Sequence, residues 1–541
     1  MKKLLLSLTL ICWSFFLTQA TNYFATPTGT EGTGVNWENA VSYSNAIALA
    51  TQANDRVYLS SGTYTVTAKV IMKVPVSIIG GYNMGDDVSS LAPDPLKYPT
   101  FTSNTSPSTT AKNFTFFSLD FSSNPELDNN TNTVSFEGIN FQKSYNSSTN
   151  QAAILTTVSN KFKSNIQLKN CSFSECVSMS SGVFFQNGNS GITSLENSFT
   201  FTIDNCVFDR CEGMNSGTGN NVTGVFYLQS PYITTNITNS TFSNNKATYT
   251  SAVGRFKGAN NNITISNCKF NDNVVTTATN TDYPSGIFGQ IGGTATINIS
   301  DSKFYNNSSP NCAILLTSGN TTTTINNSFF IQNTTTPYYR TYGTPGWLTY
   351  NLKAICAKSD GDVVNMTNSI VSNNIYRALS NDEFVATGAP EGTNPEVAGN
   401  EWRDIRVVDS IGNIENSIAN GVYISGVSGG ITNWDTSMHS STYNDYLSAN
   451  NCAELISGSK TVSQILAGIT TVNSPSSSTA KTFRLGGKLQ GLHVGDKVIV
   501  YDYTGHLLSS FSAQNTTVEL PSNKFLIVKI ITTTGEQITL K

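Results

Sequence analysis

Aromatic and charged side chains are concentrated in two insertions that interrupt a regular sequence repeat. The first insertion, between Asn333 and Ala354, carries Tyr338, Tyr339, Arg340, Tyr342, Trp347 and Tyr350. The second insertion carries Arg377, Asp382, Glu383, Trp402, Arg403 and Asp404. Aromatic rings beside charged groups can stack on sugars or anchor a protein partner. The alternative interpretation is that the aromatic residues only cover the edge of the fold as a packed loop.

Residues suited to acid–base or metal chemistry are sparse in the same region. Asp360 and Asp362 flank Gly361 and could ligate Ca²⁺, but an acidic glycine turn is more often only a turn. Asp86-Asp87 lies in a loop before the repeats, and no Cys-x-x-Cys metal spacing occurs in the chain. The histidines all lie outside the repeats, at His439, His493 and His506. We therefore predict no metal ion or other cofactor.

The insertions are positioned by the repeat, whose pattern is [Ile/Leu/Met]-x-Asn-[Cys/Ser]-x-Phe-x-x-[Asn/Cys]. The steps between successive Phe residues run from 26 to 35 residues between Phe141 and Phe330. A fixed motif at variable spacing indicates one structural unit with loops of varying length. Degenerate copies flank the block at Phe136 and Met366, with a last trace at Ile414. The clear copies centre on Phe173, Phe208, Phe242, Phe270, Phe304 and Phe330.

Each copy alternates apolar and polar residues in short segments flanked by Asn, Ser and Gly, which predicts strands joined by turns. A coil of about 30 residues holds three strands, and stacked coils pair equivalent strands in parallel about 4.8 Å apart. We therefore predict an all-β fold, a parallel β-helix. Ile and Phe columns should fill its interior, and two Asn columns should line its turns, because Asn tolerates left-handed backbone. Both insertions leave the same turn of adjacent coils, so we expect them to lie side by side.

The first twenty residues predict export. Two lysines precede an apolar run over residues 4–17, and small residues follow at Thr18 and Ala20. This is the pattern of a secretory signal peptide over residues 1–20, too short at its apolar centre to span a membrane. We expect no transmembrane span in the mature chain. Because 31 basic residues face 35 acidic residues, no net field attracts nucleic acid, which we exclude as a partner.

Export makes disulfides chemically possible among the eight cysteines that follow the signal peptide. Cys171 with Cys206, and Cys176 with Cys211, lie one coil apart, at a Cα spacing that a disulfide can bridge. In the first column serine replaces cysteine in later repeats, which favours buried thiols. For the second pair the sequence leaves both alternatives open.

The repeats are flanked by other segments. Apolar residues at helical spacing over 36–53 predict an N-terminal capping helix, because an exposed coil end presents an apolar face and unpaired strand edges. We expect the β-helix with its cap over residues 21–435, and a tail with a Ser-rich linker over residues 436–482. Residues 483–541 alternate apolar and polar side chains, which predicts a small C-terminal domain resembling a β-sandwich.

Two resemblances extend this interpretation. The Phe-x-x-Asn copies, such as Phe242 to Asn245, each precede a small-residue strand such as residues 251–253 or 285–287. Over about residues 130–375 this resembles the paired repeats of polymorphic outer-membrane proteins, which are adhesin-like, within the pectin-lyase-like superfamily. The resemblance implies a right-handed parallel β-helix at the cell surface, with a polysaccharide or a host surface ligand as partner.

The end of the chain carries the second resemblance. Its strand from Val498 to Asp502, its later segment Val528-Lys529-Ile530 and its terminal lysine look like the C-terminal sorting domain of the type IX secretion system of Bacteroidetes. This implies passage across the outer membrane by that secretion machinery. The expected location is extracellular or at the outer-membrane surface, anchored or released.

The pectin-lyase-like superfamily also includes enzymes. Its lyases need an Arg or Lys base and usually Ca²⁺, and its hydrolases need paired carboxylates. Asn280-Thr281-Asp282 matches the first short motif of polygalacturonase-like hydrolases, but the rest of the set is missing, so we interpret Asp282 as a loop residue. We expect an adhesin-like protein that binds a glycan or host ligand without catalysis. The alternatives are a polysaccharide lyase or glycoside hydrolase with an unfamiliar site, and a structural surface-layer component.

Overall fold

A computed structural model of the chain describes most of the repeats and parts of the remaining sequence. The described residues are 20–30, 32–103, 114–158, 162–186, 188, 199–214, 222–276, 285–340, 346–348, 353–357, 361–377, 405–408, 414–415, 417–419, 422–425, 447–472, 483–485, 488–490, 492, 494–502, 507–515, 517–520, 526–531 and 537–540. The chain divides into two compact units, Met1–Val462 and Ser463–Lys541. Residues 1–19 of the predicted signal peptide, the predicted boundary after residue 435 and the Ser-rich part of the linker, residues 473–482, lie outside the described residues.

Sheet 1 of the first unit is parallel and pairs its strands in chain order. The pairing is in register with the repeat, so that Ile265 lies opposite Ile299 and Ile299 opposite Ile325. Its strands are Asn22–Thr30, Arg56–Ser60, Ser77–Tyr82, Thr133–Glu137, Asn165–Lys169, Thr200–Asp204, Thr234–Thr238, Asn261–Ser266, Ala295–Ser300, Thr321–Asn326, Val363–Thr367 and Ile414–Glu415.

Sheet 2 is also parallel and consists of two ladders side by side. The first ladder contains Thr63–Val66, Thr100–Ser103, Asn140–Asn146, Ser172–Ser178, Val207–Asp209, Thr241–Ser243, Lys269–Asn271, Lys303–Tyr305, Phe329–Ile331, Ile370–Ser372 and Ile418–Ala419. The second ladder starts from the long strands Asn140–Asn146 and Ser172–Ser178 and continues through Glu212–Gly213, Lys246–Ala247, Val274–Val275, Ser308–Pro310, Thr334–Thr336 and Ile375–Tyr376.

Sheet 3 is the third parallel sheet, again with its strands in chain order. Its strands are Val70–Met72, Phe117–Leu119, Leu155–Thr157, Phe184–Phe185, Phe226–Leu228, Gly254–Phe256, Phe288–Gly292, Cys312–Ser318, Lys353–Ala357, Ile405–Val408 and Val422–Ser425. Each coil therefore runs through sheets 1, 2 and 3 and then returns to sheet 1 one level further along. This confirms the predicted parallel β-helix, a mostly β fold with three parallel sheets.

The phenylalanine of each repeat stacks on its equivalent in the next coil. Ring centroids are 4.6 Å apart between Phe208 and Phe242, and 4.4 Å apart between Phe304 and Phe330, with the rings almost parallel. All of these rings are fully buried, together with the Ile column of sheet 1. The predicted interior columns are therefore present, and the spacing of the coils sets the spacing of the rings.

The first Asn column lies in the turn between sheets 1 and 2, as predicted. Asn239, Asn267 and Asn327 all have left-handed backbone, with φ of 52°, 52° and 46°. Neighbouring side chains in the column bond to one another; Asn267 Nδ2, for example, donates to Asn239 Oδ1 at 2.8 Å. Asn is the residue that best tolerates this conformation after glycine, which explains why the position is almost invariant between repeats.

The second Asn column differs from the prediction. Its members, such as Asn245 and Asn273, are not the left-handed residues of the turn; the residues just before them are, with φ of 56° at Asn244 and 57° at Asp272. The left-handed residue splits sheet 2 into its two ladders. The asparagine that follows is turned into the interior and is fully buried. It is retained for its hydrogen bonds rather than for its backbone preference.

Small residues at the start of sheet 3 are required by close approach of neighbouring coils. A Cβ atom added at Gly224 would collide with the carbonyl oxygen of Ala252, and one added at Gly286 would collide with that of Ala313. The same holds for Gly182 against the carbonyl oxygen of Gly224. The small-residue half of the repeat is therefore a packing requirement.

The cysteines after the signal peptide lie in the described part of the chain, where all eight are buried and none forms a disulfide. Cys171 and Cys206 share a column with serines, as predicted, and the hydroxyl of Ser240 accepts the backbone N–H of Cys206 at 3.0 Å. The alternative of a disulfide between Cys176 and Cys211 is not realised in this structure. Burial raises the pKa of the Cys211 thiol well above its usual value, and the neighbouring thiol adds to this effect.

The N-terminal cap is shorter than the predicted segment of residues 36–53. A 3₁₀ turn, Trp37–Asn39, precedes helix α1, Tyr43–Leu49, whose N-cap is Ser42. Ala46 and Ile47 of the helix are buried in the same core as Val57 of sheet 1. The helix therefore covers the apolar end of the first coil, as expected of a cap.

The region predicted as a tail and linker contains two helices, α2, Ala449–Ser457, and α3, Val462–Val472. Ser448 is the N-cap of α2, and Gly458 ends it with a left-handed φ of 77°. The side chain of Asn373, in a turn of the coils, donates to the sulfur of Cys452 at 3.0 Å. None of the helices in the described part of the chain is both long and apolar enough to cross a bilayer.

The second unit contains two antiparallel sheets that share one apolar core. Leu489 of the smaller sheet and Val498 and Val528 of the larger sheet are fully buried in it. This agrees with the predicted small C-terminal β domain. The smaller sheet contains Phe483–Leu485, Lys488–Gln490 and Thr517–Glu519, and the larger contains Leu507–Ser512, Lys497–Asp502, Leu526–Ile531 and Gln537–Leu540.

Candidate functional site

The first insertion contains an antiparallel pair of strands, Tyr338–Arg340 and Gly346–Leu348. Their register places Tyr339 directly opposite Trp347, and Tyr338 opposite Leu348. Four of the candidate binding residues, Tyr338, Tyr339, Arg340 and Trp347, are therefore gathered in one paired element, which we call the aromatic hairpin. It departs from the coil path, because every other strand pair of the described coils is parallel.

Both insertions leave the same corner of the fold. The aromatic hairpin lies between Thr334–Thr336 of sheet 2 and Lys353–Ala357 of sheet 3. The second insertion starts after Ile375–Tyr376, which pairs with Thr334–Thr336, and ends before Ile405–Val408, which pairs with Lys353–Ala357. The two insertions thus connect the same two sheets in consecutive coils. This confirms the prediction that both leave the same turn of adjacent coils.

Only part of the second insertion is described. Arg377 is exposed, and its backbone N–H donates to the carbonyl oxygen of Thr335 at 2.9 Å, which extends the ladder of sheet 2 by one residue. The other candidate residues of the two insertions lie outside the described residues, and these are Tyr342, Tyr350, Asp382, Glu383, Trp402, Arg403 and Asp404.

Asp362, which was considered for calcium, and Asp86 of the early loop both accept hydrogen bonds within the fold. Asp362 is buried, and its carboxylate accepts the backbone N–H of Thr321 at 2.7 Å. Asp86 accepts the backbone N–H of Asn83, which is the main reason that its pKa lies below its usual value, and it pairs with Lys97 at 3.0 Å. Among the described residues no group of three or more His, Cys, Asp or Glu side chains is arranged to hold a metal ion. Asp282, Asp360, His439, His493 and His506 lie outside the described residues.

A buried polar pair on the outer side of sheet 3 was not predicted. Phe226 belongs to the central core, whereas its neighbour Tyr227 alternates to the other face and packs on Phe185 with ring centroids 5.2 Å apart. The guanidinium of Arg255, in the next strand, lies 6.0 Å from the centre of the Tyr227 ring, within range of a cation–π interaction. Both side chains are almost completely buried.

The hydroxyl group of Tyr227 has no hydrogen-bond partner among the described residues. Burial raises the pKa of this tyrosine to about 12, although the positive charge of Arg255 acts in the opposite direction. The alternation of Gly254-Arg255-Phe256 shows from the sequence that Arg255 faces outward. Its burial is not visible in the sequence, because it depends on what lies over the outer face.

A small cavity lies between helix α2 and the outer face of sheet 2. Its volume is about 150 Å³, and its lining includes Lys303, Phe329, Leu455 and Lys460. Ligand pockets usually measure about 300 to 1,000 Å³, so this space is too small for a sugar chain. The ammonium group of Lys303 lies beside Gly458 at the carboxyl end of α2, where a positive charge stabilises the helix. The cavity is therefore part of how α2 is held on the coils.

These features define the class of protein, a parallel β-helix with an aromatic hairpin at one corner and a separate antiparallel C-terminal unit. No protein-family model matches the chain, and no curated protein matches its sequence. Among solved structures, the crystal structure of pectate lyase Pel9A is similar with a TM-score of 0.37 and 12% identity, over 70% of this chain and 82% of that chain. The fold assignment rests on the strand pairing of this chain, and a match at this level supports no argument about activity.

Proposed function

We propose that this protein is an adhesin-like β-helix of the cell exterior that binds a glycan or a host surface ligand without catalysis. The observation that carries the proposal is the aromatic hairpin, in which Tyr339 lies opposite Trp347 in an element that interrupts the coils. A packed covering loop needs no such strand pairing. Aromatic residues on a paired element are of the type that stacks on sugar rings or anchors a partner.

The repeated columns support the proposal because they are used inside the fold. The Phe column, the Ser/Cys column and the buried Asn column all make their contacts with equivalent residues of neighbouring coils. Chemistry with an external ligand is therefore left to the outer faces and to the insertions.

The alternative function, a polysaccharide lyase or glycoside hydrolase, requires a basic or acidic group that a substrate can reach. Arg255 and Tyr227 form the polar pair that best fits a catalytic role on the outer side of sheet 3. Their exposed fractions are 3% and 0%, so both are closed to a polymeric substrate in this structure. This closure favours binding over catalysis.

Export and surface attachment are part of the same proposal. Residues 1–20 have the composition of a signal peptide, and the C-terminal unit is an independent antiparallel β unit with its own core. We propose that the unit serves as a sorting and anchoring domain recognised by a secretion machinery. Expression of the chain with and without residues 483–541 in a bacterium that has a type IX secretion system tests this. Equal amounts outside the cells for both forms would contradict it.

The binding function is tested with the mature chain, residues 21–541, on an array of acidic and neutral polysaccharides and on host cell surfaces. Retention and release of reducing or unsaturated ends are read in the same wells. We expect retention without products, and at least tenfold weaker retention for Trp347→Ala. Leu96→Ala is the matched control, because Leu96 is an exposed apolar residue with 96% of its surface accessible. Release of reducing or unsaturated ends by the native chain would establish the enzyme alternative instead.

A further inference from the structure

The outer face of sheet 1 carries a regular grid of short polar side chains. In one column Thr202, Asn236, Thr264, Asn298 and Thr324 lie directly opposite one another in successive coils. In the neighbouring column Thr234, Asn262, Thr296 and Thr322 do the same. The residues between the two columns in sequence are buried isoleucines and threonines, so the grid positions point outward. Four of them are exposed, namely Asn262, Thr296, Asn298 and Thr322, and the other five are half-buried.

The donors and acceptors of this grid are not used inside the protein. None of the nine side chains hydrogen-bonds to any other described residue. The column next to the turn behaves differently: the hydroxyl of Ser300 donates to Ser266 at 3.0 Å, and that of Thr238 donates to Asp204 at 2.7 Å. The two columns of the grid therefore present hydroxyl and amide groups that can hydrogen-bond to a ligand outside the protein.

The grid is regular, and its nine positions carry no charge. Thr234–Thr238, Asn261–Ser266, Ala295–Ser300 and Thr321–Asn326 contain no charged residue, and Thr200–Asp204 contains one, Asp204, in the column next to the turn. Parallel strands place equivalent residues about 4.8 Å apart, and alternate residues along a strand lie about 6.6 Å apart. From Thr202 to Thr324 the grid is therefore about 19 Å long.

These properties select one class of partner. A nucleic acid would need basic residues, and a protein partner would need central aromatic or Arg anchors, but the grid has neither. A neutral polysaccharide presents hydroxyl groups that donate and accept, and its packed chains form a flat surface with a short repeat. Many weak parallel hydrogen bonds then add up across the surface, as in any multivalent contact.

We propose that the outer face of sheet 1 binds the surface of an insoluble neutral polysaccharide through this hydroxyl and amide grid. The inference rests on the proposed glycan-binding function and assigns it a second surface, distinct from the aromatic hairpin. It specifies an uncharged, hydroxyl-rich ligand with aligned chains.

The test uses sedimentation of the mature chain with microcrystalline cellulose and with chitin. We expect retention that does not change between low salt and about 1 M NaCl, where the Debye length is only about 3 Å, because no charges take part. The double variant Thr264→Lys with Asn298→Lys should lower retention at least tenfold. The matched control is Val207→Lys with Thr241→Lys, on the outer face of sheet 2, where Lys269 and Lys303 already occupy the next two positions of the same column.

A second variant removes hydrogen bonding without adding charge. Thr202→Val, Thr264→Val and Thr324→Val together keep the β-branched shape that strands favour, so folding is retained, and retention should fall at least fivefold. Native-level retention in both face variants would overturn the inference, as would release by salt. If Trp347→Ala loses retention on these polymers while the face variants keep it, the inference fails and the proposed function stands. If the native chain is retained on none of the glycans, both the inference about sheet 1 and the proposed glycan-binding function are wrong.

Discussion

Asn273 and Asn307 are joined by two hydrogen bonds to a single oxygen atom. Oδ1 of Asn307 accepts two hydrogen bonds from Asn273. One comes from the backbone N–H of Asn273 at 3.1 Å, and the other from the side-chain Nδ2 of Asn273 at 2.9 Å. Nδ2 of Asn307 in turn donates to the carbonyl oxygen of Phe270 at 3.0 Å. The same arrangement links Asn245 to Asn273 and Asn333 to Asn374, so that a buried amide ladder runs along the interior of the coils.

Removing one rung of the ladder should destabilise the fold. Asn307→Ala leaves the buried N–H of Asn273 and the carbonyl of Phe270 without their partners, and each unpaired buried group costs about 1–3 kcal/mol. We expect the free energy of unfolding to fall by about 3 kcal/mol in urea titrations. Asn298→Ala is the control, since this asparagine faces solvent without hydrogen bonds to described residues and should cost below about 0.5 kcal/mol. Equal losses in the two variants would contradict the role of the ladder.

Close packing at the start of sheet 3 predicts different effects for two glycines. Gly224→Ala places a methyl group against the carbonyl oxygen of Ala252, so neighbouring coils must move apart. We expect a loss of about 2–3 kcal/mol, typical of overpacking. Gly289→Ala in the same sheet meets Thr250 O and Ser251 Cβ at 3.2 Å, which a small shift relieves, and should cost clearly less. Thermal unfolding of both variants followed by circular dichroism decides this, and the reverse order would be inconsistent with the packing described.

The thiols should be inaccessible in the folded protein. All eight cysteines of the described chain are buried without disulfides. Burial raises the pKa of the Cys206 and Cys211 thiols well above the usual value, which opposes formation of the reactive thiolate at these two residues. A chromogenic disulfide reagent should therefore detect no thiol in the native mature chain and eight after unfolding in urea. Six or fewer thiols in the unfolded, unreduced chain would show that a disulfide forms on export, with Cys176 and Cys211 as the first pair to examine by mass spectrometry.

Burial of Cys268 predicts loss of stability at alkaline pH. Burial raises the pKa of its thiol from 9.0 to about 11, so between these values the unfolded chain releases a proton that the folded chain keeps. The stabilisation is complete below pH 9 and is lost as pH rises to about 11, by up to about 2 kcal/mol. In the Cys268→Ser variant a serine occupies this position, as Ser240 and Ser302 do in the neighbouring coils. Its free energy of unfolding should decrease less over this pH range. Identical slopes in urea titrations across these pH values would contradict the assignment.

Two buried tyrosines should respond in opposite ways to removal of the hydroxyl group. The Tyr227 hydroxyl has no partner among the described residues, so Tyr227→Phe should leave stability unchanged or raise it by about 1 kcal/mol. The Tyr64 hydroxyl donates to the carbonyl oxygen of Ala25 at 2.9 Å, so Tyr64→Phe should cost about 1 kcal/mol. Denaturant titrations of both variants measure the difference. A large loss in Tyr227→Phe would show that its hydroxyl is bonded in solution.

Much of the fold follows from the repeat alone. The spacing of Phe and Ile residues predicts strands, parallel stacking and interior columns, because in-register coils place identical residues over one another. The left-handed turn of Asn239 and its equivalents was predicted for the same reason, since few residues other than Asn and Gly adopt that backbone. The candidate binding residues were found as a break in the pattern.

Other features depend on contacts between residues distant in sequence. The Phe-x-x-Asn pattern does not show that Asp272 has the left-handed backbone of the turn while Asn273 is the buried rung. A turn placed one residue later along the chain would give Asn273 the left-handed backbone instead, and the sequence fits both placements. The helices α2 and α3 were missed, although Val462, Ile465 and Leu466 are apolar residues at helical spacing, because the region before the Ser-rich segment was assigned as a tail as a whole.

The sequence by itself determined that this chain is a stack of β coils with a scaffold interior and an aromatic insertion at one corner, because a local repeat fixes the nearest-neighbour contacts of every coil. Only the tertiary structure decided which outward residues are available. Arg255 and Tyr227 face outward by alternation but are buried, whereas Asn262 and Asn298 face outward and stay open to solvent. The physical reason is that exposure depends on the segments that lie over a sheet, and the period of the strands carries no information about them.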